Sequence, residues 1–210
     1  MAAPGPSLTP EVAEQVNATG WPILVCQDAW RLFPNAEKLY GCDARWWIQY
    51  EGVPGFHGEK WSTHHKGVSN DKTHVAEEYG VNLVRGGRAQ YKGFSLDPDV
   101  IHYGDNSGFQ ALNMAVLLGS TYIVLVGYDM SHKGKGHFFG EHPAGLHNQK
   151  HYERWVPEFD AAAKNLPEGV KIINATPDSA LNSFPTMGLG EAIANHSLHC
   201  HRPKPNAATG

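Results

Sequence analysis

From residue 104 to 130 the chain reads GDNSGFQALNMAVLLGSTYIVLVGYDM. Phe109, Leu112, Val116 and Leu117 recur at helical spacing and predict a helix with one apolar face. Ser107 is the expected N-cap, Gln110 completes a capping box, and Gly119 is the expected stop. Residues 123–126 form a continuous β-branched-rich run, the pattern of a strand covered on both faces. Gly127, Tyr128 and Asp129 then stand at the carboxyl end of that strand.

The same reading extends along the chain. Residues 9–18 predict a short helix with Thr9 as cap and Pro10 in the first turn. Residues 22–26 predict a buried strand, 28–32 a short helical piece, and 38–43 a second strand ending in Asp43. Residues 44–103 are the least regular part, with two short strands expected near 60–63 and 81–85 and a turn at 85–88. Tyr152, Trp155, Phe159, Ala162 and Leu166 predict a helix in which Pro157 falls in the first turn or makes a kink. A strand follows at 170–174, and Thr176, Pro177 and Asp178 read as cap and first turn of a further helix. Strands alternating with helices predict one α/β domain with a mainly parallel sheet over residues 1–195, and a loose polar tail over 196–210.

Composition narrows the function classes. The 210 residues carry a formal net charge of −4, which gives no global case for nucleic-acid binding. No run of about 18 apolar residues marks a membrane span, and the first residues lack the pattern of a signal peptide. Cys26 and Cys42 fall in predicted strands as buried thiols, and the odd cysteine count points to a reducing, cytoplasmic setting. The three N-x-S/T triplets read as chance in that setting.

Candidate chemistry gathers at element ends. Ligands in open α/β sheets bind at strand carboxyl ends and helix amino ends. Gly5, Pro6, Ser7 and Leu8 form a turn that either cradles a phosphate with backbone N–H groups or simply leads into the first helix. Asp43 and Asp129 either hold ribose or sugar hydroxyls or form turns. Residues 131–151 carry His132, His137, His142, His147 and His151, any of which would suit a general base near neutral pH. His137, Glu141 and His142 lack a standard zinc spacing. Trp46, Trp47 and Trp61 either stack on a base or pack in the core, and Arg85 and Arg88 either clamp phosphate or sit on a solvated turn. The histidines of the tail carry no expected role.

Six motifs occur in order over residues 5–186: Gly5-Pro6-Ser7-Leu8, Gln27-Asp28, Asp43, Ser107-Gly108, Gly127-Tyr128-Asp129, and Pro177, Ser179 with Leu181. In this set the chain resembles a phage-encoded, uncharacterised protein family related to bacterial sialyltransferases and to the archaeal pterin pyrophosphokinase-like group. The resemblance implies a Rossmann-like, sialyltransferase-like domain and a glycosyltransferase-like enzyme acting on a nucleotide-activated donor. It implies a donor site at Gly5, Ser7, Gln27, Asp28, Asp43, Ser107, Gly108, Gly127 and Asp129. It also implies a loop histidine as base: distance from the Pro177 motif favours His151 or His147, and local context favours His137 or His142. No metal or other cofactor is required by that scheme, and the partner is a small nucleotide or nucleotide sugar in the cytoplasm of a bacterial host. Two departures stand out: the family's first strand is missing, and Gln27 replaces an Asn. Two alternatives follow. One is Mg²⁺-dependent diphosphate transfer from ATP to a small alcohol, with Asp43, Asp105 and Asp129 holding the metal. The other is a phage protein that binds a nucleotide or a protein without turnover.

Overall fold

The computed structural model describes residues 1–64, 73–131, 136–146 and 151–200, with side chains to His196 in the last segment. His65, His132, His147 and residues 201–210 lie outside the described residues. In chain order the elements are α1 (Pro10–Asn17), β1 (Leu24–Cys26), a 3-10 turn (Gln27–Arg31), β2 (Lys38–Tyr40), α2 (Ala44–Gln49), β3 (Glu59–His64), α3 (Thr73–Tyr79), β4 (Val81–Gly87), β5 (Val100–His102), α4 (Ser107–Leu117), β6 (Tyr122–Leu125), α5 (Tyr152–Lys164), β7 (Lys171–Asn174) and α6 (Leu189–Cys200).

β1 to β5 pair in sequence order, all parallel, and β6 pairs parallel with β7. The expected absence of a first strand is corrected here. Residues 1–5 run between β1 and β6, and Ala2 forms parallel bridges to both Val25 and Val126. The Ala2 N–H donates to Leu24 O and the Cys26 N–H to Ala2 O (3.1 and 2.9 Å). On the other side the Ala3 N–H donates to Val126 O and the Val126 N–H to Met1 O, both at 3.0 Å. The first strand is therefore present as a stub, and it makes one Rossmann-like α/β sheet of the two groups. Its four leading residues, MAAP, lack the β-branched pattern from which a strand is read.

Neighbouring strand residues serve opposite faces. Val25, Leu39, Val124 and Ile173 pack with Ala13 of α1, the tryptophans of α2, Val75 of α3 and Ala192 of α6. Leu24, Tyr40, Ile123, Leu125 and Ile172 pack with Phe109, Leu112, Phe159 and Ala162 of α4 and α5. Burial on both faces accounts for the unbroken apolar runs. No described helix is long and apolar enough to cross a membrane.

Several local expectations change. Asn106, not Ser107, caps α4, its Oδ1 accepting the Phe109 N–H at 2.9 Å. Gln110 is then free of any capping box. It lies buried, and its Oε1 accepts from the hydroxyls of Tyr40 (2.7 Å) and Thr63 (3.2 Å). Gln110→Ala is expected to cost about 1–3 kcal/mol, the penalty for stranding buried donors, read as a lower urea midpoint. The C-terminus of α4 matches expectation: Gly119 has φ of 83°, and the Ser120 N–H closes the turn on Ala115 O.

Residues 85–87 end β4 rather than forming a turn. α2, α3 and β5 were not legible in the irregular stretch. Cys42 lies beyond the end of β2 and is half-buried, whereas Cys26 is buried in β1; neither is in a disulfide. Pro157 lies well inside α5. Thr176 opens no helix, because its hydroxyl instead accepts the Tyr128 N–H at 3.0 Å. The last helix begins at Leu189 and continues past 195, so the expected tail boundary falls within α6.

Candidate functional site

The carboxyl ends of β1, β2 and β6, the amino end of α4 and the start of α5 enclose a pocket of about 190 Å³. The first-strand stub leads Gly5 and Pro6 into it, β1 delivers Gln27, and the turn after β2 delivers Cys42 and Asp43. Ser107 and Gly108 open α4, Gly127 and Asp129 follow β6, and His137, His142, Tyr152 and Trp155 complete the wall. Of the residues expected from sequence, Gly5, Gln27, Asp43, Ser107, Gly108, Gly127, Asp129, His137 and His142 thus meet around one space.

Two glycines allow this convergence. A Cβ on Gly5 would fall on the Asp129 carboxylate and the Gly127 carbonyl. A Cβ on Gly127, where φ is 73°, would fall on the Ala3 carbonyl. Ser7 lies behind the wall and ties the turn to the strand end: its N–H and hydroxyl donate to the two oxygens of Asp129 at 3.2 and 2.8 Å. Ser179 holds the same strand end from below, its hydroxyl donating to Tyr128 O at 2.6 Å. The Pro177 motif is therefore a brace of the site.

Gln27, Asp105 and Met130 each adopt a positive φ, between 45° and 49°, and all three line the pocket. Left-handed backbone at non-glycine residues costs on the order of 1–3 kcal/mol each and gathers at functional sites. Sequence patterns carry no signal of it. They also missed Cys42, Tyr152 and Trp155, which were read as a strand thiol and as helix packing. Ser107 donates its hydroxyl to Cys42 Sγ at 2.7 Å. The cap consumes the Phe109 N–H, so the Ser107 and Gly108 amides are the first-turn donors that line the pocket.

The histidines divide. His137 Nδ1 lies 3.2 Å from the Pro4 carbonyl, which only accepts, so Nδ1 is the donor there. The His142 ring lies 4.5 Å from that of His137, and its Nδ1 is 3.7 Å from Asp28 Oδ2. Asp28 is fully buried and lies behind the wall. It accepts from Trp46 Nε1 at 2.8 Å and forms a 2.6 Å ion pair with Arg31. Arg31 in turn lies over the Phe139 ring at 4.8 Å. His151 stands outside the pocket wall, 3.4 Å from Glu153 at the start of α5. Among the described residues no three His, Cys, Asp or Glu side chains gather closely enough to hold a metal ion.

Burial raises the Tyr152 phenol above its ordinary value, reinforced by the charges of Asp129 and Glu141, so Tyr152 stays a neutral hydrogen-bond donor. Burial also raises the Asp129 carboxyl, against the two bonds from Ser7. A folded value above the unfolded one means that the folded protein holds this proton more tightly. The contribution to stability is then full in acid and lost as pH rises through the folded value. Wild-type stability relative to Asp129→Asn is therefore expected to fall as pH rises above the ordinary carboxyl value of about 4, as read from urea midpoints of both proteins. A relative gain over that range would reverse the assignment.

Trp46 and Trp47 are buried, and Trp46 borders the pocket. Arg85 pairs with Asp97, away from it. No family model, no curated protein and no solved structure matches this chain.

Proposed function

We propose that the protein is a glycosyltransferase-like enzyme that takes a nucleotide-activated donor, with His142 as general base. The observation that carries the reading is His142 in the pocket wall with a fully buried carboxylate, Asp28, at its Nδ1. At 3.7 Å that carboxylate is too far for a hydrogen bond, and its charge would steady the imidazolium formed in turnover. The acceptor hydroxyl gives its proton to His142 Nε2 as its oxygen bonds to the donor's anomeric carbon. The bond from that carbon to the phosphate oxygen breaks, and the nucleotide leaves with the electron pair. Ser107, Gly108 and Tyr152 line the same pocket, and their N–H and hydroxyl donors would take up that charge.

The pocket is smaller than the 300–1,000 Å³ usual for whole ligands, so the phosphate end fits inside and the base lies across the mouth. The six ordered motifs, which resemble those of the sialyltransferase-related family, support the same reading. The stub of the first strand carries Gly5 and Pro6 to the pocket wall, which supports the same reading. No specific observation favours the Mg²⁺-dependent alternative, since Asp129 is engaged by Ser7.

Thermal-shift measurements with nucleoside mono-, di- and triphosphates and common sugar nucleotides test the proposal. At least one should raise the Tm by several degrees; saturation near 100 Kd corresponds to about 2.7 kcal/mol. A flat response to all of them at millimolar concentration overturns it. A shift that requires Mg²⁺ and vanishes with chelator transfers the site to diphosphate chemistry.

A further inference from the structure

A second cleft opens on the same edge of the sheet. It lies past the carboxyl ends of β4 and β5, against α5, and encloses about 340 Å³. Arg88 and Tyr91 come from the chain after β4, Tyr103 and Asp105 from the turn after β5, and Arg154 and Glu158 from α5. Asp105 also lines the donor pocket, so the two spaces adjoin. We propose that this cleft binds an anionic sugar, a ring whose hydroxyls meet Glu158 and whose carboxylate or phosphate meets Arg88 and Arg154. Such a sugar would be the acceptor, a role that rests on the transferase reading above; the binding itself does not.

Glu158 carries the proposal. Only 5% of the residue is exposed, yet among the described residues nothing donates a hydrogen bond to its Oε2. Burial raises its pKa, against the pull of the nearby Tyr91 and Gly93 N–H groups. A buried carboxylate oxygen without a donor is costly, so a ligand that brings donors is the complement of this floor. Arg154 stands one turn away on the same helix and is exposed, as is Arg88. Among the described residues neither guanidinium forms an ion pair. The cleft thus presents an unmet acceptor at its floor and two unpaired cations at its rim.

That combination selects the ligand. A bare anion would engage the two guanidinium groups but would meet the charge of Glu158 and leave its oxygen without a donor. A neutral sugar would supply donors and leave the arginines idle. Tyr91 argues for a ring. It is 56% exposed and held at a φ of 65°, next to Gln90 at 44°. A tyrosine presents an apolar face and a hydrogen-bonding rim, and a sugar matches these with its C–H face and its hydroxyls. An amino acid zwitterion fits both charges but offers Tyr91 no such face.

The test is an amide-resolved NMR titration of the full chain with D-glucuronate and with D-glucose 6-phosphate, which separate a carboxylate from a phosphate as the anion. D-Glucose, inorganic phosphate and glycine are the controls. One of the two anionic sugars should shift the Tyr91, Gly93 and Asp105 amides saturably, with a Kd of about 1 mM. The three controls should bind at least about tenfold more weakly. Arg88→Gln and Arg154→Gln should each weaken the anionic sugar about five- to tenfold, toward the glucose value. Glu158→Gln should weaken it at least about tenfold with Tm unchanged or raised, because an unmet buried charge is removed. If Glu158→Gln fails to fold, the exposed arginines carry the test. A lower Tm with unchanged binding would make Glu158 structural and overturn the proposal. So would shifts confined to Ser107 and Gly108, a control that binds as tightly as the anionic sugars, or no saturable shift up to about 20 mM. Binding at the cleft without turnover of the sugar, with the donor found by screening present, would uphold the cleft and remove the transferase reading instead.

Discussion

His142→Ala is expected to lower turnover by about 10²–10⁴-fold, the usual contribution of a positioned base, with donor binding and Tm retained. His142 is half-buried and its ring contacts His137 and Phe139, so a modest change in Tm is tolerable, but a loss of donor affinity equal to the loss of rate is not. The wild-type rate should fall as pH drops on the acid side of neutrality, because an imidazolium accepts no proton. His137→Ala and His151→Ala should be milder. His137 is tied to Pro4, and His151 stands apart beside Glu153. Asp28→Asn separates orientation from base strength: it keeps the shape beside Trp46 and His142 but withdraws the charge, so kcat should drop while KM for the donor holds. Equal, mild effects at all three histidines, or a rate flat from about pH 5.5 to 8, would remove imidazole base catalysis from this protein.

Phe109→Ala is expected to cost about 3–5 kcal/mol, the range for deleting a buried phenyl ring. Phe109 is fully buried, with Phe94 and Phe159 ring centroids at 5.1 and 5.2 Å. It also receives the close approach of Gly104, the residue before the strained Asp105. The cavity should therefore loosen the first turn of α4 and weaken donor binding along with stability. Calorimetric unfolding with and without the donor found by screening measures both. A loss below about 1 kcal/mol would mean that the three rings repack around the gap.

The strands and the long helices were legible because burial leaves a period in the sequence. α4 carries that period over its whole length, and β6, covered on both faces, shows as an unbroken apolar run. α2 and α3 span only Ala44–Gln49 and Thr73–Tyr79, too few turns for a period to emerge from tryptophan-rich or charged surroundings. The Asn106 cap was displaced by one residue because Asn and Ser are both strong caps, and only the dihedral angles choose between them. At the site, the residues on element ends could be anticipated because those ends are where sheet geometry presents groups to a ligand. Their partnerships could not. That Asp28 faces His142 across more than a hundred residues, or that Ser7 grips Asp129, depends on β1 and β6 flanking the stub in one sheet, which no local pattern records.

That arrangement has a consequence for synthesis. Residues 1–5 leave the ribosome well ahead of β6, yet half of their partners lie in β6 and the turn beyond it. At about 5–20 residues per second, those partners follow by roughly 6–25 s. Until then β1 to β5 can assemble by short-range parallel pairing, while the stub waits with the β1 edge beside it open. Docking the stub closes a loop of more than a hundred residues, the kind of step whose entropic cost is met late. Because Gly5 and Ser7 travel with it, the pocket is assembled in the same step that completes the sheet. Partly folded chains should therefore lack the binding site altogether rather than hold a weakened version of it.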